Sequence, residues 1–169
     1  MDAGLLIARL IVGLGLSAHG AQKLFGWFGG HGLQGTGGFF ESLGFRPGVL
    51  FALAAGLGEM WGGLLTAVGF LGPLGPALIT VVMLVAILTV HRANGFFASA
   101  NGIEMPLMYL TAALPLAFMG AGAYSVDALL GFDALRGPTG TWIALAAAIV
   151  VALINVALRR PSAPARTAA

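Results

Sequence analysis

The chain has 169 residues, of which 59% are hydrophobic and 8% charged, and its mean hydropathy is +0.96. A soluble domain carries about 25% charged residues, and disorder needs low hydrophobicity with high net charge, so both classes are excluded. Cysteine is absent, which removes disulfides, thiol catalysis and cysteine-held metal or iron–sulfur sites. The bases are few and scattered, so a pI near 9.7 is no sign of nucleic acid. The 27 glycines show no collagen-like period and read as close packing between membrane helices.

Five spans follow from the charge-free runs. No charge stands between Glu59 and His91, between Glu104 and Asp127, or between Arg136 and Arg159. A spanning helix needs about 20 mostly apolar residues, which places helices at residues 3–25, 47–71, 74–90, 105–122 and 141–158. Pro73 and Gly75 are expected to divide the longest run. Continuous rather than alternating apolar runs favour helices over a barrel. The expected fold class is all-α: a polytopic four-helix transmembrane bundle over residues 1–131, plus a fifth C-terminal transmembrane helix with its loop over residues 132–160. Residues 161–169 read as a disordered cytoplasmic tail.

Between the spans, residues 26–45 carry Trp27, Phe28, Phe39, Phe40 and Phe45 and suit an interfacial re-entry. Ser125 is placed to cap a short helix over residues 125–130. With five spans, Lys23, Arg46, Arg92, Arg159, Arg160 and Arg166 fall on one side, against Arg136 on the other and Arg9 within the membrane. The positive-inside rule then puts the N-terminus outside and the C-terminus in the cytoplasm. The expected location is a bacterial inner membrane.

Ionisable groups inside a bilayer are costly and usually face the bundle interior. Arg9, His19 and Lys23 share one glycine-rich face of the first helix. Ala54, Gly58 and Gly62 form a small-residue ridge beside Glu59 on the second. Helix rise puts Arg9 and Glu59 at a common depth, so these two are expected to form the buried ion pair. His19, Lys23, His91 and Glu104 are expected to form a polar mouth at the inner face, with Trp61 as a wall. Catalytic candidates are His19 and Glu59. Two histidines without further motif are a weak case for haem, and no metal-binding pattern is present.

The run LLIARLIVGLGLSAHGAQKLFGWFGGHGLQGTGGFFESLGF resembles the DoxX family of small membrane proteins. The similarity continues through LAAGLGEMWGGLLTAVGFLGPL, MLVAILTVHRANGFF, IEMPLMYLTAAL and YSVDALLG, out to Gly131. The resemblance implies a four-helix membrane bundle. It also implies kinship with the membrane partner of a thiosulfate:quinone oxidoreductase and with proteins of oxidative-stress assemblies. The lack of cysteine departs from any thiol relay.

The leading expectation is therefore a quinone-associated membrane subunit of a redox system, with quinone as ligand and His19 or Glu59 handling the proton. Expected partners are the lipid bilayer, a soluble or membrane redox protein, and a second copy in a homo-oligomer; nucleic acid is not among them. The alternative is a non-catalytic scaffold for a soluble redox partner, or a small-solute carrier.

Overall fold

A computed structural model describes residues 1–132, 135 and 137–160. The tail 161–169 and loop positions 133, 134 and 136, which include Arg136 and Arg166, lie outside the described residues. The described residues are helical, with no strand among them.

Helix α1 spans Asp2–Phe25, with Asp2 in its first turn and Lys23 in its last, each complementing the helix dipole. Gly26 ends it in the left-handed region, donating its N–H to the Gln22 carbonyl. Residues 26–45 hold a turn at Trp27–Gly29 and then α2, Gly32–Ser42, which packs on α3 and buries Thr36 and Gly37. Helix α3 runs Gly48–Val68 and stops at Gly69, another left-handed cap.

The α3–α4 break falls at residues 69–73, where Gly69, Leu71 and Gly72 all have positive φ. Gly75 is not the breaker. It lies buried inside α4, Leu74–Ala86, where an added Cβ would meet the Thr66 hydroxyl at 2.6 Å. It is therefore the point at which α3 and α4 leave the turn in contact. The ridge residues Gly58 and Gly62 do face a neighbour, at Val82 and Leu78 of α4, whereas Ala54 is exposed.

Helix α4 loosens into a π turn at Ile87–His91. A hydrogen-bonded loop then leads to α5, Glu104–Met119. Ser125 caps α6, Val126–Leu130, accepting from the Ala128 N–H at 3.1 Å. Helix α7, Pro138–Ala157, starts with Pro at the first turn and packs on α4.

Four helices are long and apolar enough to cross a membrane: Asp2–Phe25, Gly48–Val68, Leu74–Asn94 and Pro138–Ala157. The shorter α5 runs between the same two ends. One end gathers Asp2, the α3–α4 turn and residues 120–125, joined by the Ala123 N–H to the Asp2 carboxylate. The other gathers residues 26–47 and the end of α7, joined by the Arg160 N–H to the Gly44 carbonyl at 2.8 Å. The protein is a polytopic helical membrane protein.

The closest pair is α1 with α3. Gly13 packs on Gly63 and Ala67, and Gly20 on Gly56 and Met60. An added Cβ at Gly20 would meet the Met60 backbone at 2.6 Å, so the helices must separate to accept it. Gly20→Ala is expected to lower stability by about 1–3 kcal/mol, read as a shift in reversible unfolding in detergent. An unchanged midpoint would mean that the two backbones are further apart than described.

Candidate functional site

The α1–α3 register fixes who can meet. Gly13 opposite Gly63 and Gly20 opposite Gly56 put Glu59 level with Ser17. The Ser17 hydroxyl accordingly donates to the Met60 carbonyl at 3.1 Å. Arg9 is eight residues from Ser17 along α1, an axial offset of about 12 Å. The expected Arg9–Glu59 pair is therefore not formed.

Glu59 instead pairs with Lys23, Nζ to Oε2 at 2.6 Å. Side chains on a helix lean toward its N-terminus. In antiparallel α1 and α3, that lean carries Lys23 and Glu59 toward each other and Arg9 away. Counting residue depth alone missed this. Glu59 is 4% exposed, while the Lys23 side chain remains partly open.

His19 sits one turn from Lys23 and within electrostatic reach of Glu59. It is exposed, and its ring meets Tyr109 of α5 edge-on, with centroids 5.9 Å apart. Its Nδ1 lies 3.1 Å from Gln22 Oε1. The Gln22 amide nitrogen donates to the Phe28 carbonyl at 3.1 Å, which turns its oxygen toward the imidazole. Nδ1 therefore carries the hydrogen and donates, leaving Nε2 as the free lone pair of neutral His19. The Tyr109 hydroxyl has no hydrogen-bond partner among the described residues and lies over Gly15 of α1. Tyr109 packs against the buried cluster of Leu16, Ile79, Met83 and Ala113.

The remaining expected site residues lie elsewhere. Arg9, 2% exposed, donates to the carbonyls of Ala121 and Tyr124 at the opposite end. Its Nε has no partner among the described residues, and Arg9 lines a small space of about 10 Å³. The acid acting on Arg9 is Asp127, a fully buried residue that the sequence reading did not single out. The Asp127 carboxylate accepts from the N–H groups of Leu71 at 2.9 Å and Gly72 at 2.8 Å, and so holds the α3–α4 turn.

His91 and Glu104 are engaged in their own loop. His91 Nδ1 lies 2.8 Å from the Asn101 carbonyl, and Glu104 accepts from the Ala98 N–H at 2.7 Å. Trp61 is 52% exposed and, two residues on from Glu59, points about 200° away around α3; it walls nothing at the ion pair. Gln22 and Tyr109 were the missed members. Tyr109 carried one weak signal, a phenol inside a charge-free apolar run.

A separate cavity of about 350 Å³ opens at the Arg9 end between the α3–α4 turn, the end of α5, α6 and the start of α7. Its described lining, from Gly72 to Thr141, holds no titratable side chain. His19, Lys23, Glu59 and Tyr109 lie together at the other end: an exposed imidazole and a half-buried phenol beside the Lys23–Glu59 pair.

Comparison with known families finds a match to the family model DoxX over residues 4–92, just over half of the chain. The similar segments from residue 103 onward lie beyond the matched residues. No curated protein and no solved structure matches the chain.

Proposed function

The chain belongs to the DoxX family, and from that premise we propose that it is a quinone-associated membrane subunit of a redox system, holding the quinone against His19 and Tyr109. A quinone needs apolar walls and a few polar contacts at its carbonyl oxygens. The observation that carries the reading is the pairing of an unpartnered phenol with an imidazole whose Nε2 is free, 5.9 Å apart by ring centroids. The quinone would supply the redox chemistry, exchanging electrons with a partner protein.

The chain's own part is binding and proton handling. Tyr109 donates its hydroxyl hydrogen to a carbonyl oxygen. His19 Nε2 takes a proton from a bound hydroxyl or, once protonated, returns it; imidazole suits this near neutral pH. Gln22 fixes the tautomer. The Lys23–Glu59 pair backs the imidazole with charge that is already balanced. Lys23, Arg46, Arg92, Arg159 and Arg160 gather at this end of the molecule, which supports an N-out, C-in orientation with the site near the cytoplasmic face of a bacterial inner membrane.

The test is organic extraction of purified protein, with quinone quantified per chain. Retention near one per chain is expected. His19→Ala should abolish quinone-dependent turnover in membranes, and Tyr109→Phe should weaken quinone binding about fivefold, the worth of one hydrogen bond. Failure to retain or bind quinone, together with unchanged turnover in His19→Ala membranes, would sink the reading. Capture of a soluble partner by a chain that binds no quinone would support a scaffold instead.

A further inference from the structure

Arginines from two distant segments of the chain come to the Lys23 end. The Arg160 N–H donates to the Gly44 carbonyl at 2.8 Å, and the Arg159 side chain donates to the Leu43 carbonyl. These bonds dock the end of α7 onto the loop before α3, two residues from exposed Arg46. Among the described residues, none of the three pairs with a carboxylate. The nearby acid, Glu41, accepts from the Gly48 N–H at 3.2 Å. Bringing these like charges to the same end works against the docking that places them there. An anion of matching position removes that penalty.

We propose that Arg46, Arg159 and Arg160 bind the phosphodiester headgroup of an acidic phospholipid. Guanidinium forks match phosphate oxygens, and basic clusters at helix ends attract anionic lipid. What favours lipid over free phosphate is the surface beside the arginines. Leu50, Ile154 and Leu158 are each more than half exposed, and they offer acyl chains an apolar track directly next to the charges. The site is separate from His19 and Tyr109, and its occupancy does not depend on quinone.

The test is native mass spectrometry of the full chain released from nanodiscs holding equal phosphatidylglycerol and phosphatidylcholine. Preferential retention of phosphatidylglycerol is expected. The double variant Arg46→Gln/Arg160→Gln keeps both docking bonds, since Arg160 docks through its backbone. It should weaken that retention roughly 25-fold, about fivefold per charge. On the unsubstituted chain, raising salt from roughly 0.05 to 0.5 M should strip the acidic lipid, because screening shortens the reach of each charge. Equal retention of the two lipids, an unchanged double variant or insensitivity to salt would each overturn the proposal. Displacement by inorganic phosphate beyond that by chloride of equal ionic strength would overturn it in favour of a free-phosphate site.

Discussion

Lys23→Met is expected to cost about 3–5 kcal/mol of stability, the largest loss for any single change to the α1–α3 pair. Lys23 Nζ is 2.6 Å from Glu59 Oε2, and among the described residues no other base forms an ion pair with that carboxylate. Removing the lysine leaves a charge in apolar surroundings with nothing to balance it, and that uncompensated desolvation dominates the cost. Glu59→Leu alone strands Lys23 less severely, because the ammonium is partly open and can swing outward. The double variant Lys23→Met/Glu59→Leu should recover most of the loss, since replacing a buried pair by apolar groups is often near neutral. Reversible unfolding in mixed micelles, run as a double-mutant cycle, measures all three. Additive losses with no recovery in the double variant would contradict a coupled pair.

Asp127→Ala is expected to cost ~2–5 kcal/mol, through two buried donors left unsatisfied at a different end of the molecule. Its carboxylate takes the N–H groups of both Leu71 and Gly72, and Leu71 holds a φ of 62° that a non-glycine residue adopts only under constraint. The same carboxylate is the acid acting on buried Arg9. Alanine leaves two N–H groups without their acceptor and removes the charge acting on Arg9, whose guanidinium keeps its bonds to the Ala121 and Tyr124 carbonyls. An amide in place of the carboxylate would keep one acceptor oxygen but not the charge, so Asp127→Asn should fall between the unsubstituted chain and Asp127→Ala. The check is again unfolding, with Arg9→Leu added. The loss for Asp127→Ala should shrink in an Arg9→Leu background, and an undiminished loss would show that the two act independently.

The spans were legible because the charge-free runs are long and their punctuation is local. Gly26, Gly69 and Ser125 end or begin helices by their own backbone preference or side-chain cap, and each of these elements follows from residues close in sequence. Partners across helices were harder to read. Arg9 and Glu59 matched by depth, but depth locates a Cα, and the opposite lean of side chains on antiparallel helices decided the pairing. The aromatics of the first loop suit a headgroup layer, but the short helix within it was not legible; only packing on α3 shows why Thr36 and Gly37 are buried in α2. Gly75 read as a breaker since glycine ends helices, yet its role is to let Thr66 come close.

Asp127 and Tyr109 escaped notice for related reasons. Asp127 sits in a short helix outside the spans, where an acid ordinarily meets water; its burial arises from a turn more than 50 positions away in sequence. Tyr109 belongs to α5, whose polar residues show no marked face, so nothing in its own segment pairs it with His19. His91 and Glu104 fall at the expected end of the molecule, and their hydrogen bonds there are to their own loop.

Ligand chemistry, on this account, belongs at the α1–α5 edge formed by His19 and Tyr109. Photolabelling of the full chain in membranes with an azido-quinone, followed by peptide mapping, tests that placement most directly. Saturable adducts are predicted on the α1 turn holding His19 and on the α5 turn holding Tyr109, with competition by unlabelled quinone. Adducts confined to the cavity around residues 117–123, or labelling that never saturates, would contradict it.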